Sequence, residues 1–445
     1  MKETSMSRFS PSMRKAGKAL VLVAAMTIFT SCAAFTDEAE LSTRSDLAGP
    51  EAQSIENFMR ILLWITYAVF AAVLGATLWF WHKYRIKTDD YEDDEFPAQI
   101  DHSKKLEILF NGGPLILLAF VGVFSTILHF QVNGSEENPI SVTVGGESRE
   151  WEPEIVVVGQ QWWWEYQYHF GDVELTAQRV ETLPEADITT ATQMIIPVGQ
   201  EIELEITSRD VIHSHWIPSL NGKRDAVPGR QSAPWKIQAD EPGVFFGQCT
   251  EFCGLSHSRM RMQVIALPMP EFQEWVTAQM EGVELSAETA AYVQELVDGA
   301  TTPPEGTEQR AVDTFRTKCA SCHVLDGVTD GIVSRPEEQL VSGAAPNLTH
   351  FATRTTFGGG IVNVWDPVTQ EFNRNDVAQW LRDPDSIKAN FTEPVSEDDA
   401  RLRGMPNLGL TAQEVDDLVG LLQMTGAPPS VNGDATFVIT ETGVE

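Results

Sequence analysis

Residues 61–81 form a run of 21 positions without a charged side chain. A stretch of that length covers the roughly 30 Å hydrocarbon core of a bilayer as one α-helix. Inside lipid a helix satisfies every backbone group within its own segment, so the run can be little else. A second run, residues 106–130, starts with polar Glu107, Asn111, Gly112 and Gly113 and then turns apolar. The segment between them carries His82-Lys83-Tyr84-Arg85-Ile86-Lys87. Its positive charge places this connection in the cytoplasm, so the outer ends of both spans face outward. Trp79, Phe80 and Trp81 sit where an interfacial aromatic belt belongs. A transmembrane hairpin is therefore predicted over 55–131.

Upstream, Arg14, Lys15 and Lys18 precede an apolar stretch, residues 19–29, that ends at Thr-Ser-Cys32. This pattern reads as a signal peptide over 1–31. A cysteine directly after small residues resembles a bacterial lipoprotein box with Cys32 lipidated, although Phe29 stands where leucine is usual. Cleavage near Ala33, or an uncleaved anchor, are the alternatives. An N-terminus of this kind sends the adjoining chain to the outside of a bacterial cell membrane, in agreement with the hairpin's orientation.

The chain carries 64 acidic and 31 basic residues, a net charge of -33, which argues against nucleic acid and against anionic lipid as partners. An acidic surface could steer a basic electron carrier. It could equally reflect a saline habitat, because the acid is spread throughout, including a run at 89–95 on the predicted cytoplasmic side. The length, 445 residues, implies two or three domains.

From about residue 139 to 270 the pattern changes to short β-rich runs (154–158, 193–197, 201–207 and 244–247) separated by Gly and Pro, as in an all-β sandwich or barrel. Near its end lies Cys249-Thr-Glu251-Phe-Cys253-Gly-Leu-Ser-His257-Ser-Arg-Met260. Two thiols, an imidazole and a thioether form a soft donor set that suits copper, whereas a thioether offers zinc little. A single blue-copper site needs one cysteine; two can bridge two coppers that share an electron. A further histidine must come from elsewhere, and His213 and His215, in Asp210-Val-Ile-His213-Ser-His215-Trp216, are candidates. A plain disulfide would need none of the surrounding histidine, glutamate or methionine.

Residues 271–305 are acidic and partly helical, close with Thr-Thr-Pro-Pro-Glu-Gly and read as a linker. Residues 306–428 read as a mostly helical third unit, and 429–445 as a loose tail. In that unit Cys319-Ala-Ser-Cys322-His323 is the c-type haem attachment pattern. No βαβ pattern surrounds it to suggest a thioredoxin-like alternative. Methionine is the sixth ligand that lifts the potential into the range of an electron carrier. Met405, in Arg-Gly-Met405-Pro406, is the candidate; Met424 is the rival but falls in a helical pattern with Val415, Leu418, Leu421 and Leu422 and reads as core. All five cysteines are thereby assigned without a structural disulfide.

On the copper loop and the Asp210–Trp216 motif, the chain resembles subunit II of the haem–copper cytochrome c oxidases over roughly residues 55–270. The resemblance implies a cupredoxin-like Greek-key barrel with a binuclear CuA centre. Its register makes His213 the ligand and leaves His215 at a variable position. Cys249, Cys253, His257 and Met260 fall on the remaining side-chain ligands. Glu251 falls on the residue whose carbonyl faces copper and whose carboxylate reaches a Mg2+ shared with subunit I. In the Gln161-Trp162-Trp163-Trp164-Glu-Tyr166 cluster, the resemblance makes Trp162 the exposed tryptophan that admits electrons, while Trp164 and Tyr166 read as core. Glu107, at the cytoplasmic start of the second span, falls at the mouth of a proton path; a solvated helix cap is the simpler alternative.

Met405-Pro406, Pro346-Asn347-Leu348 and Trp380-Leu-Arg-Asp-Pro384 resemble the methionine turn, haem-edge loop and preceding helix of cytochromes c, so the third unit is expected to be an all-α cytochrome c domain. A cytochrome c fused behind the CuA domain resembles the caa-type oxidases, where the tether raises the donor's effective concentration. The expected function is subunit II of a proton-pumping terminal oxidase. It would pass electrons from haem c to CuA and on to subunit I for reduction of O2, alongside subunit III. Its donor would be an upstream cytochrome c or a quinol:cytochrome c reductase. A CuA-bearing nitric oxide reductase subunit and a stand-alone membrane-anchored electron-transfer protein are the alternatives.

Overall fold

The computed structural model describes residues 47–85, 103–133, 138–171, 186–230, 235–332, 345–366, 369–391 and 404–428. The signal segment with Cys32, the acidic run at 89–95 and the tail at 429–445 lie outside the described residues. Two long helices come first: α1, Pro50–Tyr84, and α2, Lys104–Asn133. Pro50 occupies the first turn of α1, where a missing N–H costs nothing. Within α2 a π-turn at Ile108–Gly112 directly precedes Pro114. A wider turn there relieves the clash between a proline ring and the preceding helical turn. Both helices are apolar and long enough to cross a membrane, and their most apolar windows are almost wholly exposed in the isolated chain.

The β-domain contains β1 (Ile140–Val144), β2 (Glu147–Trp151), β3 (Glu154–Gln160), β4 (Trp163–Tyr168), β5 (Ile188–Ala191), β6 (Gln193–Pro197) and β7 (Ile202–Ser208). It continues with β8 (His213–Trp216), β9 (Lys223–Ala226), β10 (Trp235–Ile237), β11 (Gly243–Gln248) and β12 (Arg261–Leu267). Five strands pair in the order β10-β7-β3-β4-β5 and three in the order β11-β12-β6; β3 with β7 and β12 with β6 run parallel. The strands between the sheets are apolar on the enclosed faces, and Trp151, Trp164, Tyr166 and Tyr168 fill the interior.

The membrane helices end on one corner of this domain. The Ala48 N–H donates to the Ser219 carbonyl (2.9 Å), and Lys236 meets Glu51 at 3.5 Å and Glu201 at 2.6 Å. From α2, the Val132 carbonyl accepts from Asn221 Nδ2 (3.3 Å) and Asn133 Oδ1 accepts from Arg224 (2.5 Å). The start of α1 and the end of α2 therefore share one side of the membrane with the β-domain, as the charge pattern of the loop requires.

The third unit holds α5 (Thr307–Thr314), which runs on into a π-turn at Phe315–Cys319, α6 (Arg374–Arg382), α7 (Pro384–Ile387) and α8 (Ala412–Gln423). Its core gathers Phe315, Leu325, Phe351, Leu381, Leu418 and Leu422. Asp417 is buried and held by Arg310 at 2.9 and 3.2 Å, which fixes α8 on α5.

Three expectations change. The unit expected to be all-α contains a two-stranded sheet, β13 (Thr356–Phe357) with β14 (Val362–Asn363). Met424 is not core: it lies just past α8 and is 43% exposed. Residues 271–305 are not a free linker. They form α3 (Met269–Gln279), whose Phe272, Trp275 and Val276 are buried in the β-domain core, and α4 (Ala287–Val297), whose Tyr292 and Val293 join the third unit's core. Phe272 stacks on Trp151 with ring centroids 5.8 Å apart. The β-domain thus reaches past residue 270, to Gln279.

Phe272→Ala tests this packing. Emptying a buried aromatic site costs about 3–5 kcal/mol, whereas truncation in a free linker stays within about 0.5 kcal/mol. Denaturant unfolding of the purified chain distinguishes the two.

Candidate metal centre

The loop between β11 and β12 closes on itself through the Cys249 N–H, which donates to the Met260 carbonyl at 2.9 Å. Its other edge is tied to β8 by the Thr250 N–H and the Ser214 carbonyl, 3.0 Å apart. These two bonds bring donors from three places in the sequence to one point. Cys249 Sγ and Cys253 Sγ lie 3.8 Å apart, well beyond the ~2.05 Å of a disulfide. His213 Nδ1 is 3.9 Å from Cys249 Sγ, and the Glu251 carbonyl oxygen is 3.3 Å from the same sulfur. On the other side, His257 Nδ1 and Met260 Sδ lie 3.5 and 3.7 Å from Cys253 Sγ. Each sulfur therefore has one imidazole and one weaker donor beside it. That arrangement matches two soft-metal positions bridged by a thiolate pair, and the fit rests on the donors themselves.

The surroundings orient these donors. His213 Nε2 faces Asp210 Oδ1 at 2.8 Å, which turns Nδ1 toward the sulfurs. Gly159 allows the ring to lie there: a Cβ at that position would sit 2.7 Å from His213 Cδ2. Asp210 also accepts from the Gln161 N–H at 2.7 Å. His215 is two residues further along β8, about 6–7 Å at strand rise, with Nε2 3.3 Å from the Tyr166 hydroxyl and its ring edge-on to Trp164. It is wholly buried away from the sulfurs, and burial pushes its pKa down to about 3.

Burial pushes the His213 imidazole down, but its hydrogen bonds to Asp210 and Cys249 outweigh this and leave it raised. The Asp210 carboxyl, lifted by burial, ends below its usual range because of His213 and the Gln161 and Val211 amides. The two thiols behave as a pair. Cys249 is drawn down, first by the hydrogen bond from Cys253 and then by His213. Cys253 is pushed up by the same contact and by burial. Thiolate character is thus favoured at a point where a cation would bind.

Glu251 turns its carbonyl toward Cys249 while its carboxylate is exposed. Glu107 is exposed in the first turn of α2, ahead of the π-turn, far from this loop in the sequence. Trp162 corrects an expectation: it is 3% exposed, not open to solvent. Its Nε1–H donates to the Cys253 carbonyl at 3.0 Å, and its ring lies 5.6 Å from Phe391 of the third unit, which covers it. Trp164 and Tyr166 are core, as expected.

A cavity of about 650 Å³ begins where Trp162 and Gln161 end. Cys319, Cys322, His323 and Met405 line it together, and Met424 does not. His323 Nδ1 is 2.8 Å from the Pro346 carbonyl. A carbonyl only accepts, so Nδ1 carries the proton and the ring's lone pair is on Nε2. Arg354, 5% exposed, also lines the cavity, and burial pushes its guanidinium down to about 10. Sequence reasoning gave no role to Gly159 or Arg354; Gln161 was read only as the start of the tryptophan cluster, and Asp210 only as part of the motif that carries His213, with its spacing of three as the signal.

A two-helix membrane anchor carrying a β-domain with a bridged two-sulfur, two-imidazole site defines a membrane-bound redox-metal protein. The comparisons make this specific. Residues 154–267 match the family of the cytochrome c oxidase subunit II periplasmic domain. The chain is 30% identical over 356 residues to cytochrome c oxidase subunit 2 of Alkalihalophilus pseudofirmus, covering 80% of this chain and 86% of that one. It is 27% identical over 303 residues to cytochrome c oxidase subunit 2 of Bacillus sp. (strain PS3), covering 67% of this chain and 70% of that one. The periplasmic domain of subunit II of the Bradyrhizobium japonicum oxidase aligns at 32% identity, over 28% of this chain and 91% of that one, with a TM-score of 0.23. The chain belongs to the cytochrome c oxidase subunit II family, whose membership implies a copper centre.

Three substitutions check the geometry. His213→Asn is expected to abolish stoichiometric copper binding, and His215→Asn to retain it. Asp210→Ala, which removes only the partner of a ligand, is expected to weaken copper about 10–100-fold. Competitive copper titration of each variant gives the answer; copper lost only in His215→Asn reverses the assignment.

Proposed function

We propose that this chain is the electron-accepting subunit of a membrane-bound haem–copper oxidase, with a second redox group of its own in the third unit. The observation that carries the reading is the shared wall. Trp162, bonded to the carbonyl of Cys253, lines the same cavity as Cys319, Cys322, His323 and Met405. When bound, a copper pair and a haem c each take up and release single electrons.

The chain's own residues prepare both places. Cys319 and Cys322 are spaced to form thioethers to a haem's vinyl groups, and His323 is oriented by Pro346 to face the cavity with Nε2. Met405, on the same cavity, would offer the haem iron its thioether, and Arg354 a buried cation suited to an anionic edge of the group. Cys249, Cys253, His213, His257, Met260 and the Glu251 carbonyl would hold the copper pair. Trp162 connects the two, so it serves as the entry residue despite its burial. Subunit I would receive the electrons and reduce oxygen. Both exposed, the Glu251 carboxylate would contribute to a Mg2+ at that boundary and Glu107 to a proton entry on the cytoplasmic side.

Two measurements test this. The purified chain is expected to hold two coppers and one covalent haem, with the EPR of the copper centre showing a seven-line pattern from one shared electron. One copper with a four-line pattern, or a mass without haem, overturns the reading. Met405→Ala is expected to lose the weak near-infrared sulfur-to-iron band and to lower the haem potential by on the order of 0.1 V, within the roughly 0.8 V that axial ligands span. Loss of the band in Met424→Ala instead would move the ligand.

A further inference from the structure

The third unit does not hang from a tether. It is locked against the copper loop, and the lock turns on a lysine. Lys388 comes directly after α7 and is 5% exposed. Its Nζ donates to the Trp162 carbonyl at 2.5 Å and to the Gly358 carbonyl at 2.7 Å. One acceptor belongs to the copper domain and the other to the third unit. No ion pair to a carboxylate holds Lys388 among the described residues. Burial pushes the Lys388 amine down to about 7, and a buried donor of this kind is costly unless hydrogen-bonded, so these two carbonyls are what make its position tenable.

The neighbouring contacts close around the same point. Gly359, at φ +80°, lies beneath the amine: a Cβ there would be 2.2 Å from Lys388 Nζ and 2.6 Å from the Trp162 carbonyl oxygen. The Gly359 carbonyl accepts from the Arg261 N–H at 2.8 Å, which extends β12's edge into the third unit. From the copper loop, Ser256 and Arg259 donate to the Ala389 and Ile387 carbonyls on either side of Lys388. Lys388 also lines the cavity that holds the haem-attachment residues.

We infer that Lys388 is a positioning residue for electron transfer: clamped between the Trp162 and Gly358 carbonyls, it fixes the third unit on the copper loop in one docked posture, so that transfer between the two units needs no docking step. This rests on the reading of the cavity as a haem site. The consequence is kinetic. A tethered donor that docks and undocks is governed by encounter, and its rate responds to salt where charges steer it. A locked donor's rate does not.

The test uses the full chain carrying copper and haem. Lys388→Met keeps the length and apolar bulk of the stem and removes the donor. Gly359→Ala disturbs the same junction from the other side. In the unaltered chain, photoinduced haem-to-copper transfer is expected to hold constant between about 0.01 and 1 M salt, and the Arg261 amide to resist hydrogen exchange. Each variant is expected to slow transfer on the order of tenfold to a hundredfold, with Arg261 protection lost and copper content and haem spectrum unchanged. Unchanged rate and Arg261 protection in both variants overturn the inference. So does slowed transfer with protection intact, which would give Lys388 a local role on Trp162 alone. If Lys388→Met fails to fold, Gly359→Ala decides by the same criteria. A chain without covalent haem refutes the haem reading instead; Arg261 protection still reports the lock in that case, because it needs no haem.

Discussion

The hydrogen bond that closes the copper loop, Cys249 N–H to the Met260 carbonyl, holds the site together. It joins the end of β11 to the start of β12, two strands whose antiparallel register runs unbroken from Gly243 opposite Ala266 to Gln248 opposite Arg261. The loop therefore leaves and re-enters a rigid ladder, and its donors have little freedom. Soft metal sites tolerate no slack in ligand placement, and fixed elements provide more precision than mobile loops do. The remaining histidine comes from β8, held to the loop by one backbone bond and to Asp210 by another contact. Sheet register, loop closure and ligand position are one constraint seen at three scales.

The same domain is held at its opposite connections by the membrane helices. Lys236 bridges Glu51 of α1 and Glu201 of the β-domain, and Arg224 reaches the end of α2. Burial lowers Lys236 but its two carboxylates outweigh that and leave it raised. The helices fix how the β-domain stands on the bilayer. Around the copper site, Phe252, Leu255, Val211 and Ile212 are exposed apolar side chains beside the ligands.

How much of this could be read from the sequence depends on how local each feature is. The copper loop places four side-chain donors within twelve residues, so composition and spacing alone exposed it, and Cys319, Cys322 and His323, three within five, were legible as a group that the structure sets on one cavity wall. The spans were legible because lipid allows so few solutions. The linker was misread because its acid dominates its composition, yet Phe272, Trp275, Val276 and Gln279 fall on one helical face and are buried. Trp162 was misjudged because its exposure is decided by Phe391, more than two hundred residues away. Met424 continues the apolar period of α8 but falls just past its end, where the buried face stops. Lys388 and Gly159 matter only through contacts across the fold, which no local pattern encodes.

The acidity of the chain and the junction between its β-domain and third unit are physically separate. Among the described residues the ion pairs lie within the β-domain and its anchors or within the third unit, and none crosses between them. The junction is made instead of a lysine amine on two carbonyls, an amide-to-carbonyl bond and the Trp162–Phe391 ring contact. Surface charges are screened over about 10 Å at 0.1 M salt, whereas buried contacts of this kind are screened far less. A surface with 64 acidic residues can therefore answer to a saline solvent, or to a basic external donor, without disturbing the internal route. If the external donor meets this surface by charge, salt should act on that encounter and leave the step between the two units alone.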